Sequence, residues 1–315
     1  MNPSLHNEIT RHLDVDFAFK RNGKWLRGGE CPSCKKKELF TYADEPWVLQ
    51  CGRKNKCGAE YHIKDLYPDL FNNWSERHQK TPEAPNAAAD GYMRDGRGFD
   101  LAKVQGWYTQ ESYYDHKLKL GSATVRFPLP GIGYWERIID QPHRFGSHKA
   151  NFNGAYGGSW WQVPGIDIAD KAIKEIWITE GIFDSTALLH HDIVSVSALT
   201  CNNYPSKALK TLATECAARG QERPKLVWAL DAGNAGETYT RKWVARSIED
   251  GWEATAAQPP AGKQKLDWNE LHQRDRLNKK TLDEALYHGA LLIAKSVHEK
   301  ALLLYQPQPL RCCRG

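Results

Sequence analysis

From Ile176 onward the sequence alternates short apolar runs with amphipathic stretches, and this limits the fold more than any other feature. Ile176–Thr179, Ile193–Val196, Lys225–Leu230 and Trp252–Ala256 read as strands. A helix begins over Ser185–His190, and Ser206–Arg219 and Thr238–Ile248 read as two more. Strands that alternate with helices build a mostly parallel sheet covered on both faces, so the fold class here is α/β.

In such a sheet, ligands bind beyond the carboxyl ends of the strands. Acids stand there. Glu180 follows the first strand, Gly181 lets the chain turn sharply, and Asp184 lies one helical turn on. Asp231 ends the third strand and leads into Ala-Gly-Asn-Ala-Gly236. Asp267 follows the fourth strand after a Pro/Gly loop. Parallel strands bring these loops to one edge, where several carboxylates repel one another unless a cation lies between them. Oxygen-only ligands select hard ions, Mg²⁺ or Mn²⁺. Taken singly, each acid also reads as a helix cap, a charge favoured by the helix dipole, or a turn residue.

The N-terminal part carries a different signature. Cys31-Pro-Ser-Cys34 is followed, after sixteen intervening residues, by Cys51-Gly-Arg-Lys-Asn-Lys-Cys57, and the stretch between reads as a hairpin. Two thiolate pairs on a hairpin can close a tetrahedral zinc site with no open position, which makes its role structural. His62 lies near enough to replace one thiolate. Arg53, Lys54 and Lys56 inside the second knuckle are either phosphate contacts or a solvated loop. Cys201, Cys216, Cys312 and Cys313 lack metal spacing and read as free thiols.

The 315 residues are enough for two or three domains, and 41% are hydrophobic, so a core can form. The expected division is a zinc-binding domain over residues 1–75, a polar linker over 76–90, a mixed α+β basic subdomain over 91–170, the α/β domain over 171–275, and a C-terminal helical segment over 276–315. The last contains one long amphipathic helix or a helical pair at 281–305. A net charge of +5 permits a nucleic-acid partner without demanding one. The N-terminal residues do not read as a signal peptide, and no apolar stretch is long enough to span a membrane, so a cytoplasmic location is expected. Over residues 114–150, six Lys and Arg outnumber three acids, interleaved with aromatics. That composition suits a groove tracking a nucleic-acid backbone while bases stack, and equally an ordinary exposed sheet face.

Glu180-Gly-Ile-Phe-Asp184 and Asp231-Ala-Gly-Asn-Ala-Gly236 resemble the motifs of the Toprim domain, shared by bacterial-type primases, type IA and II topoisomerases and some nucleases. The cysteine module resembles the zinc-binding domain of DnaG-like and phage primases. The order zinc ribbon, basic region, Toprim resembles primases of phage and mobile-element origin and covers roughly residues 25–275. The resemblance implies a Rossmann-like Toprim domain. It also implies a DNA primase that joins ribonucleoside triphosphates on a single-stranded DNA template. Glu180, Asp184, Asp231 and Asp267 are then the catalytic acids, and Glu180, Asp231 and Asp267 the Mg²⁺ or Mn²⁺ ligands. Arg126, Arg137, Arg144 and Lys149 would hold template and nucleotide phosphates, with Lys263 and Lys265 near the acidic edge. No P-loop sequence occurs, so a replicative helicase would be a partner. The sequence departs from the family at Gly233, where the second aspartate of the DxD motif is expected. That departure keeps two alternatives open, a Toprim-type nuclease and a catalytically weakened DNA-binding replication or defence module.

Overall fold

The computed structural model of the chain describes residues 3–131, 133–259 and 266–305. It divides into two units, one of residues up to 128 together with 134–153, the other of 129–133 together with 154 onward. No helix among the described residues is long and apolar enough to cross a membrane.

The first unit opens with α1 (Pro3–Phe17), which places Leu5, Ile9 and Leu13 on one face, four residues apart. That stripe packs with Leu26, Leu39, Leu49 and Ile63 into one core. Strands β1 (Lys20–Asn22), β2 (Trp25–Gly29), β3 (Leu39–Tyr42), β4 (Val48–Cys51) and β5 (Glu60–His62) form an antiparallel sheet in sequential order. The expected hairpin is present as β3–β4, with Leu39 opposite Cys51 and Phe40 opposite Gln50.

Short helices α2 (Ile63–Leu66), α3 (Trp74–Arg77), α4 (Ala87–Gly91) and α5 (Leu101–Val104) follow, and a π-helical turn, Tyr92–Gly96, continues α4. Residues 79–85 are exposed, but Ala88 and Ala89 are buried and donate their N–H groups to the Gln110 side chain. The segment read as a linker thus ends in a packed helix. Strands β6 (Thr109–Asp115), β7 (Leu120–Pro128), β8 (Tyr134–Ile138) and β9 (Ala150–Asn153) complete the unit as an antiparallel meander.

The second unit is the parallel α/β domain. Its strands are β10 (Glu175–Thr179), β11 (Ser195–Ser197), β12 (Lys225–Ala229) and β13 (Ala254–Ala256), in the order β11-β10-β12-β13. Its helices are α6 (Ile182–His190), α7 (Ser206–Ala218), α8 (Asn234–Glu249) and α9 (Trp268–Gln273), followed by α10 (Lys279–Ile293) and α11 (Val297–Tyr305). Helix α6 packs on β10 and β11, α8 on β12 and β13, and α10 on β13. Trp160 and Trp161 are buried, and Trp161 pairs with Ser197 at the edge of β11.

The strand expected at Ile193–Val196 lies two residues later at its start. Helix α6 ends in a Schellman motif: Asp192 is left-handed at φ 62°, its N–H bonds to the Leu189 carbonyl, and the Ile193 N–H bonds to that of Leu188. Ile193 therefore belongs to the helix cap. At the C-terminus a helical pair, rather than one long helix, is observed.

Candidate functional site

The strand order sets the site. From β10 the chain crosses to β11 on one side, and β12 then returns to the other side of β10. The crevice between β10 and β12 is the topological switch point of the sheet. Thr179 pairs with Ala229, so Glu180 and Asp231 leave adjacent strands at nearly the same level. Asp267 caps α9, and that helix is anchored by Trp268, fully buried, whose indole N–H donates to the Ala229 carbonyl at 2.8 Å.

Asp184 plays a different part from the other acids. It is buried, and its Oδ1 accepts the Asn269 N–H at 3.1 Å, tying the start of α6 to the start of α9. A Cβ on Gly181 would stand 2.7 Å from the other Asp184 oxygen, so glycine is needed there. Gly236 is equally constrained, since a Cβ would fall against the Asp231 carbonyl oxygen. Gly233 is the N-cap of α8 with φ 129° and ψ 173°, a backbone region almost confined to glycine. The missing family aspartate therefore coincides with a backbone that disfavours any side chain.

Two groups at this edge escape a motif-based reading. Glu270 forms a capping box with Asp267: Asp267 Oδ1 accepts the Glu270 N–H at 2.6 Å, and Glu270 Oε2 accepts the Asp267 N–H at 3.3 Å. The Asp-x-x-Glu spacing ahead of an apolar residue was the available signal. Cys201, read only as a free thiol, lies against Glu180, and burial followed by the Glu180 charge raises its pKa.

The electrostatics call for a cation. Burial, then the charges of Glu180, Asp267 and Glu270, push the Asp231 carboxyl up to about 7. Burial also raises Glu180, against hydrogen bonds from Cys201. Asp231 Oδ1 is buried without a hydrogen-bond partner among the described residues. An orphaned carboxylate oxygen under the influence of three more acids is an environment that a hard divalent ion would relieve, though among the described residues the ligand atoms of these acids do not lie as close together as those of the cysteine quartet.

In the first unit the four cysteines Cys31, Cys34, Cys51 and Cys57 come together. The Sγ atoms of Cys31 and Cys57 are 3.9 Å apart, those of Cys34 and Cys51 3.8 Å. Tetrahedral thiolates at the usual zinc–sulfur length stand about 3.8 Å apart, so the quartet fits a metal of that kind. His62 is outside this set. Burial alone would raise the Cys31 thiol, but the backbone N–H groups of Cys34 and Ser33 and the Tyr61 hydroxyl bring it down to about 7.

The four basic residues expected to act together are not brought together. Arg126 and Arg137 point to opposite faces of the sheet, because Arg126 lies opposite Glu136, the residue next to Arg137. Arg126 is bound to Glu136 at 2.9 Å and lies over the Tyr134 ring, so it is engaged in the fold. Glu136 is only 1% exposed and also accepts from Thr124 and Asn151. Arg144 donates to the Gly121 carbonyl, and Lys149 is exposed just ahead of β9. Lys263 and Lys265 lie outside the described residues.

Arg137 instead shares a cationic cluster with Arg97, which sequence reasoning missed. Arg97 donates to the Tyr92 hydroxyl at 2.9 Å, and Arg137 reaches the same phenol. Burial lowers the Arg137 pKa; Tyr92 opposes this and Arg97 adds to it. Burial would raise the Tyr92 phenol, yet Arg97 and Arg137 draw it below its ordinary value. Tyr92 opens a single π-turn that Arg97 caps, a feature frequent at functional sites, and Arg137 reaches it from β8. A second face joins aromatics and cations. Trp25 stacks on Tyr42 with ring centres 4.1 Å apart, Phe40 meets Trp25 edge-on, and Arg27 lies over both Trp25 and Phe40.

Known proteins are similar in the following respects. A family model described as Toprim-like matches residues 177–272. No curated protein matches the chain. Among solved structures, the RNA polymerase domain of Mycobacterium tuberculosis primase DnaG is similar at 17% identity and a TM-score of 0.47, covering 72% of this chain and 85% of that one. The zinc-binding and RNA polymerase domains of the Aquifex aeolicus primase are similar at 13% identity and a TM-score of 0.41, covering 95% and 94%. The Mycobacterium tuberculosis domain in complex with a double-stranded DNA oligomer with a 6-nucleotide overhang gives 17% identity and a TM-score of 0.43, covering 72% and 83%. With its acids at the switch point of a parallel sheet and the family match over the same residues, this chain carries a Toprim-like domain at 177–272.

Proposed function

We propose that the chain is a DNA-dependent RNA primase that makes short primers on single-stranded DNA by metal-dependent nucleotidyl transfer. The observation that carries this reading is the buried, unpartnered oxygen of Asp231 facing Glu180, Asp267 and Glu270 at the switch point of a Toprim-like domain. The 3′-hydroxyl of one ribonucleotide attacks the α-phosphate of the next, and pyrophosphate leaves. Mg²⁺ or Mn²⁺, when bound, lowers the pKa of the attacking hydroxyl and neutralises charge on the leaving group. Asp231, Glu180 and Asp267 are its ligands in this reading, and Glu270 supplies the charge that Gly233 does not. Asp184 holds α6 against α9 and so positions the acids rather than touching substrate.

Arg97 and Arg137 are the better candidates for phosphate contacts, with the exposed Lys149 a separate one and Arg126 in a structural role. Trp25, Phe40 and Tyr42 offer a stacking face for template bases, which is sequence-tolerant because every base has a π-face. The cysteine quartet holds structural zinc. Action in the cytoplasm during phage or mobile-element replication, beside a replicative helicase, is the setting implied by the domain order.

Gly233 favours a second reading, a DNA-binding module without synthesis. Labelled single-stranded DNA, ribonucleotides and Mg²⁺ or Mn²⁺ separate the possibilities. Short RNA products support the primase, shortened DNA identifies a nuclease, and binding without any product identifies the module.

A further inference from the structure

The two helices that begin at the acidic edge also end together, and a second cluster of metal-ligating side chains lies there. His190 and His191 close α6, and His272 lies in the last turn of α9. One ring nitrogen from each of the three lies within 4.8 Å of the others. His191 Nε2 and His272 Nδ1 are 3.0 Å apart, and the ring centres of His190 and His272 are 4.6 Å apart. None of the three is fully buried, and His191 borders a groove of about 380 Å³ with Trp177, Leu282 and Leu286.

We propose that His190, His191 and His272 form a zinc site, separate from both the cysteine quartet and the acidic edge. Three imidazole nitrogens on a tetrahedral zinc stand about 3.4 Å apart, so the cluster needs adjustments of an ångström or so and no rearrangement of the backbone. Imidazole nitrogens suit zinc, whereas the carboxylates at the other end of these helices suit hard ions. Three protein ligands leave one position for water or for a ligand from the groove.

The backbone supplies a second, independent reason. Both helices end in the same motif. Asp192 after α6 and Asp275 after α9 are left-handed, and the N–H groups of Ile193 and Arg276 return to the carbonyls of Leu188 and Leu271. Two helix C-termini therefore converge on the histidines, and their carbonyl ends favour a cation there. The opposite ends of the pair are joined by the Asp184–Asn269 hydrogen bond. About six residues, or roughly 9 Å of helix, separate Asp184 from His190, so the two clusters are distinct sites. Zinc at the histidines fastens α6 to α9 at the far end. The assignment is independent of the reaction at the acidic edge.

The test is a titration of the full chain with zinc chloride, its cysteine site loaded, against a chromophoric chelator, with metal content measured after desalting. The wild type is expected to take one more equivalent than His272→Ala, and His190→Ala and His191→Ala to weaken that equivalent by about tenfold or more. Equal stoichiometry in the wild type and His272→Ala overturns the proposal. So does an extra equivalent that disappears in Asp231→Asn and persists in His272→Ala. Should His272→Ala fail to fold, His272→Cys decides. Cobalt(II) in the wild-type site gives visible bands without further thiolate charge transfer, and in His272→Cys a new thiolate-to-cobalt band arises. Absence of that band in folded His272→Cys refutes the site.

Discussion

Glu180 and Asp231 leave adjacent parallel strands one and two residues beyond the paired positions Thr179 and Ala229, and the Glu180 charge, after burial, raises the cost of ionising Asp231. A pair of half-buried acids at a sheet edge weakens the fold unless something of opposite charge joins them. In the proposed reading the site trades stability for metal binding, and the two properties should move in opposite directions on mutation. Asp231→Asn should abolish metal-dependent synthesis, by about 100-fold or more, since it removes a metal ligand. The same change should stabilise the metal-free protein at pH 8 by on the order of 2 kcal/mol, because a buried, repelled charge is gone. A primer-synthesis assay checks the first half and thermal melts with and without Mg²⁺ the second, and an equal loss of stability under both conditions contradicts the metal site.

The pH dependence has a definite sign. The Asp231 carboxyl rises from 3.8 to about 7 on folding. The folded state thus binds more protons than the unfolded state between those values, and stability falls as pH rises through that window. Excess Mg²⁺ should flatten the slope, because the ion replaces the proton. Chemical denaturation at pH 5 and pH 8, with Mg²⁺ or with chelator, measures it. A metal-free protein that gains stability from this site on going to pH 8 would sink the assignment.

Much of this edge was legible in the sequence. The placement of Glu180 and Asp231 was readable because they end strands in an alternating pattern, whereas Asp267 reaches this edge as the cap of α9. Glu270 was hidden by its everyday role in a capping box, and Arg97 by standing outside the region where basic residues were sought. Arg126 and Arg137 were grouped by composition, but strand neighbours alternate faces, and Glu136, next to Arg137, lies opposite Arg126, so the two arginines point apart. Helix α1 carries a stripe at Leu5, Ile9 and Leu13 whose four-residue spacing is a helical signal in the sequence itself.

Gly233 tests whether the missing aspartate is a matter of charge or of backbone. With φ at 129° and ψ at 173°, Gly233→Ala and Gly233→Asp should each cost about 1–3 kcal/mol. Gly233→Asp should therefore fail to strengthen Mn²⁺ binding even though it adds a carboxylate. Isothermal titration with Mn²⁺ and a melt on the same samples decide the point. Tighter binding with unchanged stability would mean that the turn accepts a side chain after all.

The two arginines on β7 and β8 should separate cleanly. Arg137→Ala and Arg97→Ala should weaken binding to single-stranded DNA and lower the salt dependence by about one counterion each if each contacts a phosphate. Arg126→Ala should leave the salt slope unchanged and instead destabilise the fold by about 2–3 kcal/mol, since Glu136 keeps its bonds from Thr124 and Asn151 but loses its cation. Fluorescence anisotropy over a salt series, together with urea denaturation, measures both quantities. A reduced salt slope for Arg126→Ala with unaltered stability would reverse the assignment.

Zinc and the first unit's five-stranded sheet should rise and fall together. The two loops that carry the cysteine quartet are otherwise joined by few hydrogen bonds, among them Gly52 N–H to the Glu38 carbonyl and Ser33 to the Tyr61 hydroxyl, so zinc in that quartet would add much to the folding energy of this sheet. As thiols the quartet is uneven: burial pushes Cys51 up to about 12, whereas Cys31 sits at about 7. Binding zinc must therefore displace protons, and affinity should fall as pH drops from 8 to 6. Cys51→Ser or a strong chelator should unfold this sheet while leaving the parallel sheet of the second unit intact. Hydrogen exchange resolves the two: protection should vanish at Leu39–Tyr42 and Val48–Cys51 and persist at Glu175–Thr179 and Lys225–Ala229. Retained protection over β3 and β4 after zinc removal would show that the apolar core, with α1 across it, suffices alone.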